Sequence, residues 1–427
     1  MNIKTIEYKK IDEVLHVYEH PSGLKAFVIP KKGYSKKFAT FSTHYGSINN
    51  TFVVPGETEV TRVPDGIAHF LEHKLFEQKD GSVMDKFSAL GSSPNAYTSF
   101  NQTVYLFSCT DKFEENFELL LDYVQNPYIT EESVEKEKGI IGQEIKMYED
   151  DPGWRSFFNL LRSFYENNPV NIDIAGTVES ISHITRDTLY KCYNTFYHPS
   201  NMIIFVAGDV EPEKVFAQVE KGLKTTQSKP EIKRIFPEES KKVFKDYREQ
   251  SMAISTPLFQ MGFKDTVQDI KGMEGLMHEI AVKILLEMVM GRSSRLYNDL
   301  YSRNLINTSF EFDFTIEENY AFSMFGGESV NPVQVRDAIA AEVRRMQSEG
   351  LDRAVYDRVK RAMNGRFIKY LNSMEKISHM FIPVYFRNAN MFDYFDVYDK
   401  ITFEYVKEMF ENHFKLDNLA LSVIKPF

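Results

Sequence analysis

The sequence predicts an α+β chain of two homologous domains, each a sheet packed with helices. Three observations predict it. The chain has 427 residues, too many for one ordinary domain. It repeats itself at half its own length. Strand-like apolar runs and long helical patterns occur together in both halves.

The repeat is the strongest of these signals. Residues 184–206 read ITRDTLYKCYNTFYHPSNMIIFV and residues 401–423 read ITFEYVKEMFENHFKLDNLALSV. Aligned without gaps, Ile184 and Thr185 meet Ile401 and Thr402, Tyr193 meets Phe410, Tyr197 meets Phe414, Asn201 meets Asn418, and Val206 meets Val423, an offset of 217 residues. Each copy reads as an amphipathic helix, a short turn and a buried strand. Between the halves, KTTQSKPEIKRIFPEESKK (residues 224–242) is polar, lacks apolar periodicity and carries Pro230 and Pro237. A first domain is therefore expected over residues 1–224, a linker over 225–242 and a second domain over 243–427.

Strands are expected at LKAFVIP, TVYLFSC and NMIIFVAG in the first half, and at NYAFSMFGG and NLALSVI in the second. Helices are expected over residues 112–124, 131–149, 275–290, 332–348 and 352–371, where apolar residues recur at helical spacing.

Composition excludes several function classes. The net charge is -10, from 51 basic and 61 acidic residues mixed along the chain, which argues against a nucleic-acid surface. No polybasic cluster suggests a membrane patch. The start, MNIKTIEYKKIDEV, has no apolar core of a secretory signal, and no run approaches the roughly 18 apolar residues of a membrane span. The two cysteines, Cys109 and Cys192, make no disulfide framework and have no Cys neighbour at metal spacing; two buried thiols in a reducing cytoplasm are expected.

The chemistry concentrates in PDGIAHFLEHKLFEQ, residues 64–78, which reads as a helix with Asp65 as N-cap. His69, Glu72 and His73 stand at i, i+3 and i+4 and share one face, while Ile67, Phe70, Leu71 and Leu75 supply apolar packing. Two imidazoles one turn apart can bind one Zn²⁺. The carboxylate between them can then act as base toward a metal-activated water. H-x-x-E-H is the inverse of the commoner H-E-x-x-H zinc motif. Taken alone, the triplet is equally consistent with a surface helix whose His and Glu merely form hydrogen bonds.

Downstream, SVEKEKGIIGQEIKMYEDDPGW (residues 133–154) reads as a second long helix. Glu137 and Glu144 are two turns apart, hence on one face. Gly139 and Gly142 lie between them and suggest that this helix approaches another element closely. A carboxylate from such a helix completes a His₂Glu set and leaves a fourth position for water.

With both helices in view, the chain resembles the pitrilysin/insulinase (M16) family of zinc metallopeptidases. It looks like the small two-domain branch of that family, similar to bacterial processing-peptidase-like subunits. The resemblance implies a processing-peptidase-like fold of mixed, mainly antiparallel sheets. It implies one Zn²⁺ per chain held by His69, His73 and Glu144, with Glu72 as general base and then general acid. Glu137 supports catalysis by the same resemblance; by its residues alone it reads as an ordinary solvated charge. The 71-residue gap from His73 to Glu144 is shorter than usual in the family, which reads as a loop deletion and keeps Glu149 as the alternative ligand.

GSSPNAYTSFNQTVYLFSC, residues 91–109, looks like the family's edge strand. There Asn95 and Ala96 would receive substrate backbone by β-augmentation; alternation alone favours a plain amphipathic strand. Gly176 and Thr177 read as a turn, and His198 before Pro199 as a turn residue rather than a ligand.

At the repeat offset, His69, Glu72 and His73 meet Leu286, Val289 and Met290, so no second metal site is expected. GRSSRLYNDLYSRNLINTSF, residues 291–310, resembles the family's inactive half, Ser293, Ser294, Arg295 and Leu296 matching a common segment. Family members often carry an Arg and a Tyr seven residues apart just after it. Here those positions are Tyr301 and Thr308, with Arg303 close by in another register. The departure implies either weak activity alone or, the favoured reading, a homodimer or heterodimer whose related subunit supplies the pair. The expected function is a Zn²⁺ endopeptidase acting on peptides or short unfolded chains inside a closed chamber. The alternatives are a non-catalytic scaffold subunit and a zinc hydrolase of non-peptide amides.

Overall fold

The computed structural model describes residues 3–227, 229, 231–266 and 270–427; Pro230 of the expected linker lies outside them. The chain forms two compact units. The first comprises Met1–Ile145, Asp173–Ile235 and Tyr370–Phe386, and the second Lys146–Ile172, Phe236–Lys369 and Arg387–Phe427.

The first unit is built on a seven-stranded sheet in the spatial order Ile3–Tyr8, Glu13–Glu19, Lys25–Pro30, Met202–Gly208, Lys37–Thr43, Thr103–Cys109, Ser93–Thr98. Every pairing is antiparallel except that of Met202–Gly208 with Lys25–Pro30. Met202–Gly208 is buried at every residue, which is why MIIFVAG is continuously apolar instead of alternating.

The second unit carries a five-stranded sheet in the order Tyr247–Met252, Leu419–Pro426, Leu258–Phe263, Ala321–Glu328, Glu311–Ile316. Its one parallel pairing joins Tyr247–Met252 to Leu419–Pro426. Strand for strand this repeats the last five positions of the first sheet. The late-sequence strand (Met202–Gly208 or Leu419–Pro426) enters between two early ones, parallel to one and antiparallel to the other. The expected duplication is thus a duplication of topology, and the α+β fold class holds.

The helices expected from periodicity appear as Phe113–Val124, Glu131–Glu149, Gly272–Met290, Pro332–Glu349 and Arg353–Tyr370. One arrangement is not visible in the sequence. Pro152–Phe164 packs on the sheet of the second unit, and Met374–Phe386 belongs to the first, where Phe381 meets Phe27 and Phe205 at 4.8 Å between ring centroids. The two helices stand near the repeat offset, so equivalent helices are exchanged between the repeats. The compact units consequently differ from the contiguous halves 1–224 and 243–427. Within the expected linker the chain passes from the first unit to the second at Ile235, just after Lys233–Arg234 pairs with Thr51–Val53.

Leu286, Val289 and Met290 are buried in the core of the second unit. Cys109 and Cys192 are free and buried, and burial pushes their thiols up to about 11 and about 12. Among the described residues, no helix is long and apolar enough to cross a membrane.

Candidate metal centre and active site

The helix bearing the motif runs Ile67–Leu75, shorter than expected, because Glu77–Gln78 turns into a short strand pair. Ile67, Phe70, Leu71 and Leu75 are buried in the first unit's core, and this leaves His69 and His73 facing away from it. Asp65 does not cap the helix. Gly66 precedes it at φ 89° with no side-chain cap, and the Asp65 carboxylate instead accepts from Asn50 Nδ2 at 3.0 Å and Arg62 at 2.8 Å. Gly66 is required there, since a Cβ would overlap the backbone carbonyl of Ala175. Gly176 meets Asp65 in the same way from the other side, at φ 74°. Ser180 Oγ also donates to the Asp65 carbonyl at 2.9 Å. Thr177, expected in a turn, is the N-cap of the Val178–Ser182 helix that carries Ser180. The start of the motif helix is therefore pinned by residues more than a hundred positions away.

Among the described residues, His69, His73 and Glu144 offer ligand atoms that all lie within 4.8 Å of one another. His69 Nε2 is 3.6 Å from Glu144 Oε1, and His73 Nε2 is 3.5 Å from Glu144 Oε2. Ligands at zinc bond lengths around a tetrahedral ion stand roughly 3.3 Å apart, so this donor set fits that ion. Glu149 is exposed and outside the group. The Glu131–Glu149 helix makes no close approach at its glycines; a Cβ on Gly139 or Gly142 would meet open space.

The site is electrostatically graded. Burial, with the neighbouring His73 charge, pushes His69 down to about 3, so its ring is neutral and available as a ligand. Burial also acts to lower His73, but the Glu137 hydrogen bond and the charges of Glu72 and Glu144 outweigh it and raise the ring. Glu137 Oε1 lies 3.1 Å from His73 Nδ1. Burial would raise the Glu137 carboxyl, but His73 and Lys74 bring it below its ordinary value. Glu72 is buried and raised by that burial, against a 2.7 Å hydrogen bond from Thr98 Oγ1.

Asn95 and Ala96 lie on Ser93–Thr98, which among the described residues pairs only with Thr103–Cys109 and forms one edge of the sheet. The Ala96 amide donates to Asn95 Oδ1 at 2.9 Å. Tyr301 is exposed on the Arg295–Ser302 helix, Thr308 is exposed, and Arg303 pairs with Asp299 at 2.9 Å. His198 is a turn residue, its Nδ1 accepting from the Ser200 amide at 3.2 Å.

Two residues escaped the sequence reading. Thr98 was open to inference, because strand alternation places it on the face of Ala96 two residues earlier. Lys74 carried a fainter signal: a lysine at a position that helical spacing assigns to the apolar face.

Two family models match the chain: insulinase (peptidase family M16) over residues 55–178, and the peptidase M16 inactive domain over residues 183–363. The chain is 45% identical to the uncharacterized zinc protease YmfH of Bacillus subtilis (strain 168) over 426 residues, 99% of each protein. It is 27% identical over 334 residues to the uncharacterized zinc protease YmxG of the same organism, covering 74% of this chain and 77% of that one. A crystal structure described as an M16-like peptidase from Alicyclobacillus acidocaldarius matches with a TM-score of 0.93 and 31% identity, covering 100% of this chain and 99% of that one. A protease from Helicobacter pylori matches with a TM-score of 0.79 at 19% identity, covering 96% of this chain and 99% of that one, a likeness of fold alone.

Proposed function

This chain belongs to the insulinase-type M16 peptidase family, and from that premise we propose that it is a zinc-dependent endopeptidase of peptides or short unfolded polypeptides. The observation that supports this most directly is the gathering of His69, His73 and Glu144 within 4.8 Å, with Glu72 on the same helix. One zinc ion per chain, held by those three residues, would supply a Lewis acid for the scissile carbonyl and a water of near-neutral pKa.

The chain's own residues do the rest. Glu72 accepts the proton of the attacking water as its oxygen adds to the carbonyl carbon. Glu72 then gives the proton to the departing amine as the C–N bond breaks. Burial favours this exchange, because it brings the carboxyl up toward the working pH. Glu137 accepts from His73 Nδ1–H, which leaves Nε2 as the ligand atom. Asn95 and Ala96 receive the substrate backbone at the sheet edge.

Catalysis is assigned to the domain of residues 1–224; no metal is expected in the homologous domain of residues 243–427, where Leu286, Val289 and Met290 stand at the motif positions. Tyr301 and Thr308 stand where the family resemblance implies an Arg and a Tyr. We therefore infer a dimer, with itself or with a related subunit that supplies the pair, enclosing a chamber that admits flexible chains. The compartment proposed is the cytoplasm, where Cys109 and Cys192 would remain reduced.

The test is Glu72→Gln. Bound zinc is expected to stay near one per chain while cleavage of quenched peptides falls about 10²–10⁴-fold. A variant that retains both zinc and full activity would sink the peptidase reading. Preferential hydrolysis of non-peptide amides or esters by the wild type would redirect it to another substrate class.

A further inference from the structure

We propose that Lys74 is a positioning residue of the metal centre, a buried ammonium that holds Glu137 against His73 and away from the ion. The inference rests on the zinc reading above and adds a residue that the motif does not include.

Helical spacing places Lys74 with Ile67, Phe70, Leu71 and Leu75, and all five are buried, Lys74 at 0% exposure. A lysine in that row is costly, because its charge leaves water. An unbranched apolar side chain would fill the same space without that cost. The charge is nonetheless compensated. Lys74 Nζ pairs with Glu77, lies 3.4 Å from the Ser133 carbonyl and stands 3.7 Å from Glu137 Oε2.

Glu137 divides its two oxygens between neighbours. Oε1 faces His73 Nδ1 at 3.1 Å, and Oε2 faces the ammonium. His73 in turn presents Nε2 to Glu144 Oε2 at 3.5 Å. A continuous polar chain thus runs from Glu77 through Lys74, Glu137 and His73 to the candidate ligand cluster. A mostly buried carboxylate one imidazole away from a divalent cation is a competing ligand. The ammonium at its far oxygen supplies the counter-attraction that keeps it on the ring. Fixing Glu137 fixes the His73 ring, and through it the ligand lone pair.

The test uses the full chain and four variants, Lys74→Met, Lys74→Arg, Glu137→Gln and the Lys74→Met/Glu137→Gln double. The readouts are the zinc dissociation constant, from competition with a chromophoric chelator, and the visible spectrum of the Co²⁺-substituted protein. Lys74→Met is expected to weaken zinc binding about 10–100-fold. It is also expected to shift the cobalt d–d bands, as the His73 ring loses its fixed orientation. Lys74→Arg keeps the charge and should restore both. In the Glu137→Gln background, Lys74→Met should change neither any further. If Lys74→Met does not fold, Lys74→Gln replaces it with the same expected outcomes. Unaltered affinity and spectrum in Lys74→Met overturn the proposal, as does an equal loss in both backgrounds, which a merely structural lysine would give. A wild-type chain that takes up no zinc overturns the metal reading itself, which separates the two failures.

Discussion

Thr98 Oγ1 donates a 2.7 Å hydrogen bond to Glu72 Oε2, which ties the edge strand of the first sheet to the carboxylate of the motif helix. Thr98 also lies 3.3 Å from the Thr103 hydroxyl on the neighbouring strand. The strand proposed to receive substrate is therefore the strand that orients the proposed base. Helix and strand meet at Thr98, two residues beyond Ala96, and the geometry of substrate and base is set together.

Thr98→Val should remove that bond while keeping the side-chain shape. A buried hydrogen bond to a charged group contributes about 1.5–3 kcal/mol. A fall in kcat of roughly ten- to a hundredfold follows, with zinc content unchanged. Thr98→Ser should recover most of it. Steady-state kinetics beside metal analysis checks this, and a variant that loses zinc along with activity would assign Thr98 to the fold instead of to Glu72.

Gly66→Ala should be far more damaging than its size suggests. The added methyl meets the Ala175 carbonyl, and the φ of 89° is strained for any residue with a Cβ. A destabilisation of about 2 kcal/mol or more is expected, together with weaker zinc binding, because the motif helix would have to shift off the turn at Ala175 and Gly176. Urea titration and chelator competition read the two effects.

The second unit contains a buried carboxylate that predicts acid sensitivity. Asp265 Oδ2 lies 3.0 Å from His278 Nε2 and 2.7 Å from His413 Nδ1, and His413 Nε2 is 2.9 Å from Ser323 Oγ. Burial would raise the Asp265 carboxyl, but the two imidazoles hold it well below the usual carboxylate range. A depressed carboxyl contributes stability above its unfolded pKa of about 4 and loses it as pH falls toward the folded value. Asp265→Ala should therefore cost about 3 kcal/mol at neutral pH, leaving two buried imidazoles without their acceptor. The gap between wild type and variant should persist down to about pH 4 and close below it. Chemical denaturation across that range decides, and a gap that widens on acidification would have the sign wrong.

Much of this was legible in the sequence because apolar spacing is local. The helices Phe113–Val124 and Glu131–Glu149 and the strand Met202–Gly208 follow from pattern alone. What failed depends on partners distant in the chain. Asp65 looks like a cap, but Arg62 and Asn50 take its carboxylate and Gly66 intervenes. Gly139 and Gly142 look like points of close packing, yet they face open space. Lys74 cannot be told from a lysine whose stem lies on the core and whose charge reaches water until Ser133 and Glu137 are placed beside it. The exchange of Pro152–Phe164 and Met374–Phe386 leaves no local trace, because each helix has the same apolar face whichever sheet it covers.

The edge strand supplies the last prediction. Among the described residues Ser93–Thr98 has a partner strand on one side only, and the Ala96 amide is bonded to its own neighbour's side chain instead of to Thr103–Cys109. An extended peptide can add to that free side and displace the Asn95 oxygen. Along an added strand only every second residue turns its N–H and C=O toward the edge; the others point away. Backbone N-methylation, moved one residue at a time along a cleaved peptide, should therefore suppress kcat/KM with a two-residue period. Each sensitive position should lose roughly tenfold, the value of about one net hydrogen bond, and intervening positions should change little. Asn95→Ala should not abolish the period, because the recognising group is the backbone of Ala96. A flat N-methyl scan, or sensitivity confined to the residues flanking the cut, would remove β-augmentation from the account and leave substrate held by side-chain contacts alone.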